Sequence, residues 1–116
     1  MKKSGLKIKY SLHYSDNLEI YNPIGFPDDD PLRVRPVHFY FFADHKRQLL
    51  KLAAKLRSYD FKIDKIIKSY SGQWLCLALR DLAPYPDVMN RFAVLMMETA
   101  EKFGVDYDGW ETIIEA

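Results

Sequence analysis

Residues 37–58 read VHFYFFADHKRQLLKLAAKLRS and join two segments of different periodicity. Residues 37–42 are aromatic or β-branched apart from one histidine, which is typical of a β-strand. After Asp44, a predicted N-cap, leucine and alanine recur at helical spacing while lysine and arginine take most other positions. The stretch therefore predicts a strand over 37–42 that leads into an amphipathic helix over about 45–58.

The sequence beyond this helix repeats the alternation of strands and helices. Apolar and β-branched runs predict two strands joined by a polar turn, and apolar residues at a spacing of 3.6 predict a second helix. The predicted elements are strand 61–67, turn 69–72, strand 74–79, helix from Pro86 or Asp87 to Gly104, and strand 105–114 with a turn or bulge at Asp108-Gly109.

This order is βαββαβ, which predicts the α+β class and a ferredoxin-like sandwich, with an antiparallel sheet and two helices on one face. Because side chains alternate along a strand, one sheet face should lie under the helices and the other should be open. The residues expected under the helices are Phe39, Phe41, Leu75, Leu77 and Leu79. The residues expected on the open face are His38, Tyr40, Phe42, Trp74 and Cys76.

The N-terminal residues 1–32 are predicted to form an arm, and residues 33–116 the ferredoxin-like domain. Alternating apolar residues from Leu6 to Tyr14 predict a strand, and 18–21 could return as its hairpin partner. Residues 22–36 hold four of the six prolines and predict a loop. The apolar face of the arm needs cover, from the domain in the same subunit or across a homodimer.

The composition and motifs of the sequence exclude several classes of functional site. A net charge of +1 shows no bulk basic excess, and the single cysteine, Cys76, excludes an internal disulfide or a CxxC site. The single cysteine favours a reducing cytosol, so we expect a cytoplasmic protein. No apolar stretch approaches 18 residues, so we expect no membrane segment. The histidines at 13, 38 and 45 lack metal-ligand spacing, and no phosphate loop or nucleophile motif is present. We expect no catalytic residue, metal or cofactor.

Charge is unevenly distributed along the chain. Residues 45–69 contain eight lysines and arginines and two acids, a balance of +6, whereas 81–116 contain eight acids and two basic residues, a balance of −6. Opposite charges of this size can steer the approach of a protein partner. The basic helix and an open aromatic sheet also leave direct RNA binding as the alternative, although the strand at 74–79 lacks the RNA-recognition pattern.

The C-terminal motif, Gly104-Val105-Asp106-Tyr107-Asp108-Gly109-Trp110-Glu111-Thr112, resembles that of the regulators of ribonuclease activity B. The strand His38-Phe39-Tyr40-Phe41, the helix with Leu49, Ala53 and Leu56, and the Trp74-Leu75 strand stand in the same order as in that family, so the resemblance covers about 33–115. It implies a ferredoxin-like fold and a bacterial, cytoplasmic, non-catalytic inhibitor. Such a protein binds the regulatory region of ribonuclease E and restrains RNA decay.

The candidate protein-binding residues follow from the motif and from the acidic balance of the C-terminal segment. They are Asp106, Tyr107, Asp108, Trp110, Glu111 and Glu115. The alternative docking face is the basic side of the first helix, Lys46, Arg47, Lys51 and Lys55. Trp110 and Tyr107 are also expected to anchor the last strand against the sheet or the second helix.

Overall fold

The computed structural model of the chain describes residues 5–10, 33–84 and 86–115, and the side chains of 33–84 and 86–112. The elements are β1 (Gly5–Tyr10), β2 (Arg35–Ala43), α1 (Lys46–Ser58), β3 (Lys62–Lys68), β4 (Trp74–Leu82), α2 (Pro86–Phe103) and β5 (Asp106–Glu115). Both predicted helices are confirmed. The predicted hairpin return at 18–21 and residues 22–32 of the predicted loop lie outside the described residues. Arg35 and Pro36, predicted to end the loop, instead begin β2.

The strands form one antiparallel sheet in the order β1-β5-β2-β4-β3. Strands β2 to β5 with the two helices follow the βαββαβ order, so the ferredoxin-like α+β class is confirmed. Strand β1 adds a fifth strand at the β5 edge, where Gly5 pairs with Glu115 and Tyr10 with Trp110. Residues 5–10 therefore extend the sheet sideways.

The core lies between the sheet and the helices, and large side chains fill it. Helix α1 packs against β2, β3 and β4, while α2 packs against β5 and α1. The ring centroids of Phe39 and Phe61 lie 5.3 Å apart in an edge-to-face arrangement. The fully buried side chains include Val37, Phe39, Phe41, Leu49, Leu52, Leu56, Met89, Met96 and Trp110. Burying each one contributes roughly 1.5–3 kcal/mol.

The predicted orientation of β4 is wrong by one residue. Phe39 pairs with Ala78 and Phe41 with Cys76, and all four side chains are fully buried on the helix side. The leucines expected there are half-buried and face the open side, opposite His38, Tyr40 and Phe42; they are Leu75, Leu77 and Leu79. Trp74 and Cys76 accordingly leave the open face. The reason is packing, because small residues on β4 leave room for the bulky rings of β2.

The N-cap of α1 lies one residue later in the chain than predicted. His45 is the N-cap, and its N–H donates to the Gln48 side-chain oxygen at 3.1 Å. Asp44 instead accepts a hydrogen bond of 3.3 Å from the Gln73 side chain in the β3–β4 turn. The Asp44 carboxylate, which was predicted to cap α1, therefore connects the segment before α1 to the turn between β3 and β4.

Candidate functional site

The C-terminal motif begins where α2 ends, at Gly104. This residue has φ = +69°, and the N–H of the following Val105 donates to the Ala100 carbonyl at 3.0 Å, which closes the helix. The Gln48 side chain of α1 donates to the Gly104 carbonyl at 2.9 Å, and a Cβ at Gly104 would lie 3.1 Å from the same amide nitrogen. The start of β5 is thereby fixed to both helices.

A β-bulge lies in the middle of the motif, as predicted for Asp108-Gly109. Gly109 pairs with Tyr40 and Tyr107 with Phe41, so Asp108 is the extra residue. Gly109 has φ = +107°, a conformation that glycine adopts without strain. The extra residue places two positions three apart, Tyr107 and Trp110, on the same side of the sheet.

Tyr107 and Trp110 anchor β5 in the core, as predicted. The Tyr107 ring lies 5.3 Å from that of Phe41, and Trp110, opposite Phe39, is 1% exposed. The Tyr107 hydroxyl is buried and accepts or donates no hydrogen bond within the described part of the chain. Burial, and to a lesser extent the nearby Asp108 carboxylate, raises the pKa of Tyr107 well above its ordinary value.

Glu111 and Thr112 complete the connection between β5 and β2. The Tyr40 hydroxyl donates to the Glu111 carboxylate, which is 7% exposed, and Thr112 Oγ1 donates to the Pro36 carbonyl at 2.9 Å. Burial raises the pKa of Tyr40 well above its ordinary value, and the hydrogen bond to Glu111 adds to the effect. Glu111 and Thr112 therefore link β5 to β2 at the centre of the sheet.

The candidate residues of the C-terminal motif differ in how exposed their side chains are. Trp110 and Glu111 are buried, and the hydroxyl of Tyr107 is buried as well, so these three side chains stabilise β5. Asp106 is exposed at the start of β5, and Asp108 is half-buried at the bulge. We call Asp106 and Asp108 the acidic turn. The side chain of Glu115 lies outside the described residues.

The basic candidate residues lie on α1, whose first turn contacts the end of α2 through the hydrogen bond from Gln48 to Gly104. Strand β3 lies at the sheet edge beyond β2 and β4, further from the acidic turn. Helix α1 carries exposed Lys46, Arg47 and Lys51 and half-buried Lys55. Strand β3, which packs beside α1, adds three exposed lysines that belong to the basic segment 45–69 but were not among the predicted site residues. We call these seven residues the basic flank: Lys46, Arg47, Lys51, Lys55, Lys62, Lys65 and Lys68.

The fold and the motif define a ferredoxin-like domain whose C-terminal motif residues are mostly structural. The family regulator of ribonuclease activity B matches residues 19–112, which is most of the chain, so the chain belongs to this family. The match begins inside the arm that the resemblance left out. A comparison with curated proteins found no match. Within the described residues, no helix is long and apolar enough to span a membrane.

Cys76 provides a test of the core through the pH dependence of stability. Burial raises the pKa of its thiol from about 9 to about 12, against a smaller opposing effect of the Arg57 charge. The unfolded chain loses this proton at lower pH than the folded one, so stability should fall as pH rises from about 9 towards 12. Each pH unit in that window should cost up to about 1.4 kcal/mol.

The measurement is chemical denaturation at pH 8, 9, 10 and 11, with Cys76→Ala as the control. The variant keeps the tyrosines, which also titrate in alkali, and loses the contribution of the thiol. The stability of the variant should therefore fall less steeply with pH. Parallel curves for the two proteins would contradict a buried, protonated thiol.

Proposed function

We propose that this protein is a non-catalytic cytoplasmic regulator that binds a protein partner through the acidic turn, in the manner of an inhibitor of ribonuclease E. Membership of a family of ribonuclease regulators supports the general role. The partner suggested by the resemblance is the regulatory region of ribonuclease E. A basic, extended stretch of that region complements the negative charge of Asp106 and Asp108.

The division of the C-terminal motif by exposure supports this choice of contact residues. Buried Trp110 and Glu111 hold β5 in place, so the bulge presents Asp106 and Asp108 at a fixed position and in a fixed conformation. A preformed contact site loses little conformational entropy on binding. Charged contacts at the rim of an interface raise the association rate and give binding that weakens with salt.

The corrected orientation of β4 favours protein binding over the RNA alternative. Stacking of bases on an open sheet requires aromatic side chains on two neighbouring strands. On the open face, β2 offers Tyr40 and Phe42, whereas β4 offers leucines because Trp74 lies on the helix side. The Tyr40 hydroxyl is bonded to Glu111 as well. RNA binding therefore stays the second candidate, supported by the basic flank.

The test is a titration of the full chain against a ribonuclease E regulatory segment and, separately, against single-stranded RNA. Asp106→Lys with Asp108→Lys should weaken binding of the segment by about tenfold or more, and binding of the unmodified chain should decline with salt. The matched control is Glu101→Lys, an exposed acid on α2 outside the turn. Failure of the unmodified chain to bind the segment, together with tight RNA binding, would overturn the proposal.

A further inference from the structure

Strand β3 forms one edge of the sheet and is the starting point of a second binding surface. Its described pairing is with β4, and β1 lies at the opposite edge. The backbone groups on the outer side of β3 are therefore unpaired by any described strand. A register shift between Ile63 and Lys65 makes Asp64 a bulge residue, so the regular part of this edge is Lys65–Lys68.

The surroundings of this edge are strongly positive. Lys65 and Lys68 are exposed on β3, and helix α1 beside it adds exposed Lys46, Arg47 and Lys51. The acids in the same segment of the chain are Asp60 and Asp64. Lysines on an edge strand disfavour pairing with a second copy of the same strand, because like charges would be brought side by side. The same lysines favour an incoming strand with acidic side chains.

Exposed apolar side chains accompany these charges. Among the described residues, four large hydrophobic side chains are exposed, and three of them are on α1, β3 or the turn after β3: Leu50, Ile67 and Tyr70. Ile67 is 44% exposed and Tyr70 fully exposed. These apolar groups can contact the apolar side chains of a protein segment whose acidic side chains meet the lysines.

We propose that the basic flank binds an acidic, extended protein segment, which adds to the sheet as a strand beside Lys65–Lys68. Main-chain hydrogen bonds to the outer edge of β3 would supply affinity, and side chains on alternate faces would supply specificity. On the open face the segment meets Lys65 and Ile67, and on the helix face it meets Ile66 and Lys68, according to their pairing with β4.

The neighbourhood of Trp74 favours a protein segment over RNA at this surface. The Lys46 and Lys68 ammonium groups lie 5.3 Å and 5.5 Å from the centre of the Trp74 ring. These cation–π contacts occupy the ring that a base would need for stacking. A protein strand can also pair with the edge of β3 in a regular ladder of main-chain hydrogen bonds, which RNA cannot form. The strand edge Lys65–Lys68 is separated from β5 by β4 and β2, so the inference goes beyond the proposed function.

The experiment uses the full chain and a ten-residue peptide in which glutamate-valine-valine-glutamate repeats, so that glutamates face both Lys65 and Lys68. We expect it to bind, with an affinity that falls at least tenfold in Lys65→Glu with Lys68→Glu and is not lowered in Asp106→Lys with Asp108→Lys. A version of the peptide with N-methylated backbone should lose binding, because it donates no main-chain hydrogen bonds. Circular dichroism confirms that the variants are folded.

Amide hydrogen exchange locates the contact. The peptide should slow exchange within Lys65–Lys68 and leave the acidic turn unchanged. Equal binding of the N-methylated peptide, equal affinity of the Lys65→Glu and Lys68→Glu double variant, or single-stranded RNA that displaces the peptide would each overturn the proposal. The proposed function predicts that Asp106→Lys with Asp108→Lys weakens binding of a ribonuclease E segment. The present inference predicts that Lys65→Glu with Lys68→Glu weakens binding of the peptide, so the two ideas can fail separately.

Discussion

Replacing Trp110 by alanine is expected to lower the free energy of unfolding by about 3–5 kcal/mol. The side chain is the largest of the fully buried ones, it is 1% exposed, and it sits opposite Phe39 in the middle of the sheet. Its loss leaves a cavity between β5 and the helices that the rigid sheet fills poorly. A change of this size is a large part of the stability of a small domain.

Denaturant unfolding followed by far-ultraviolet circular dichroism measures the effect, since this signal does not depend on tryptophan fluorescence. Trp110→Phe is the matched control, because it keeps an aromatic ring in the core and should cost clearly less. A loss below about 1 kcal/mol for the alanine variant would show that the ring contributes little to the core. Trp110 would then become a candidate for partner contact.

Introducing a carboxylate on β4 should destabilise the protein far more at one of two adjacent positions than at the other. Ala78 is fully buried on the helix side, so Ala78→Asp places an unpaired charge in the core and is expected to unfold much of the protein. Leu77 is half-buried on the open face, so Leu77→Asp should cost about 1–2 kcal/mol, mainly through lost apolar contact.

The pair is measured by thermal unfolding and by the fraction of soluble, folded protein. Each variant is the control for the other, because they introduce the same group one residue apart on the same strand. If Leu77→Asp were the more damaging change, the leucines would face the helices after all. The structure would then have the wrong orientation for β4.

The orientation of β2 could be predicted from sequence, and that of β4 could not, for a physical reason. In β2 the bulky aromatic residues Phe39 and Phe41 alternate with the more polar His38 and Tyr40, so one assignment is clearly preferred. In β4 the run Trp74 to Leu79 has no polar residue on either side. Size, not polarity, then determines which residues face the helices, and size complementarity depends on the neighbouring strand.

The C-terminal motif shows a similar division between what sequence and structure reveal. The dipeptide Asp108-Gly109 predicted a turn or bulge from local conformational preferences, and the structure has a bulge there. Burial of Glu111 depends on its distant partner Tyr40, which no local pattern shows. In the same way, the lysines of β3 are evident in the sequence, but their position at an edge follows from the crossover connections of the sheet.

The placement of β5 also constrains the order in which the sheet is assembled. β5 lies between β1 and β2 in space, yet it follows both in the chain, and its pairing with β1 closes a loop on the order of 100 residues. While the chain is being synthesised, β1 has no strand to pair with and β2 keeps an open edge until β5 emerges. Strands β1 and β2 can therefore complete their pairing only after β5 has been synthesised. Until then, the stability of the nascent chain depends on β2, β4 and the helices.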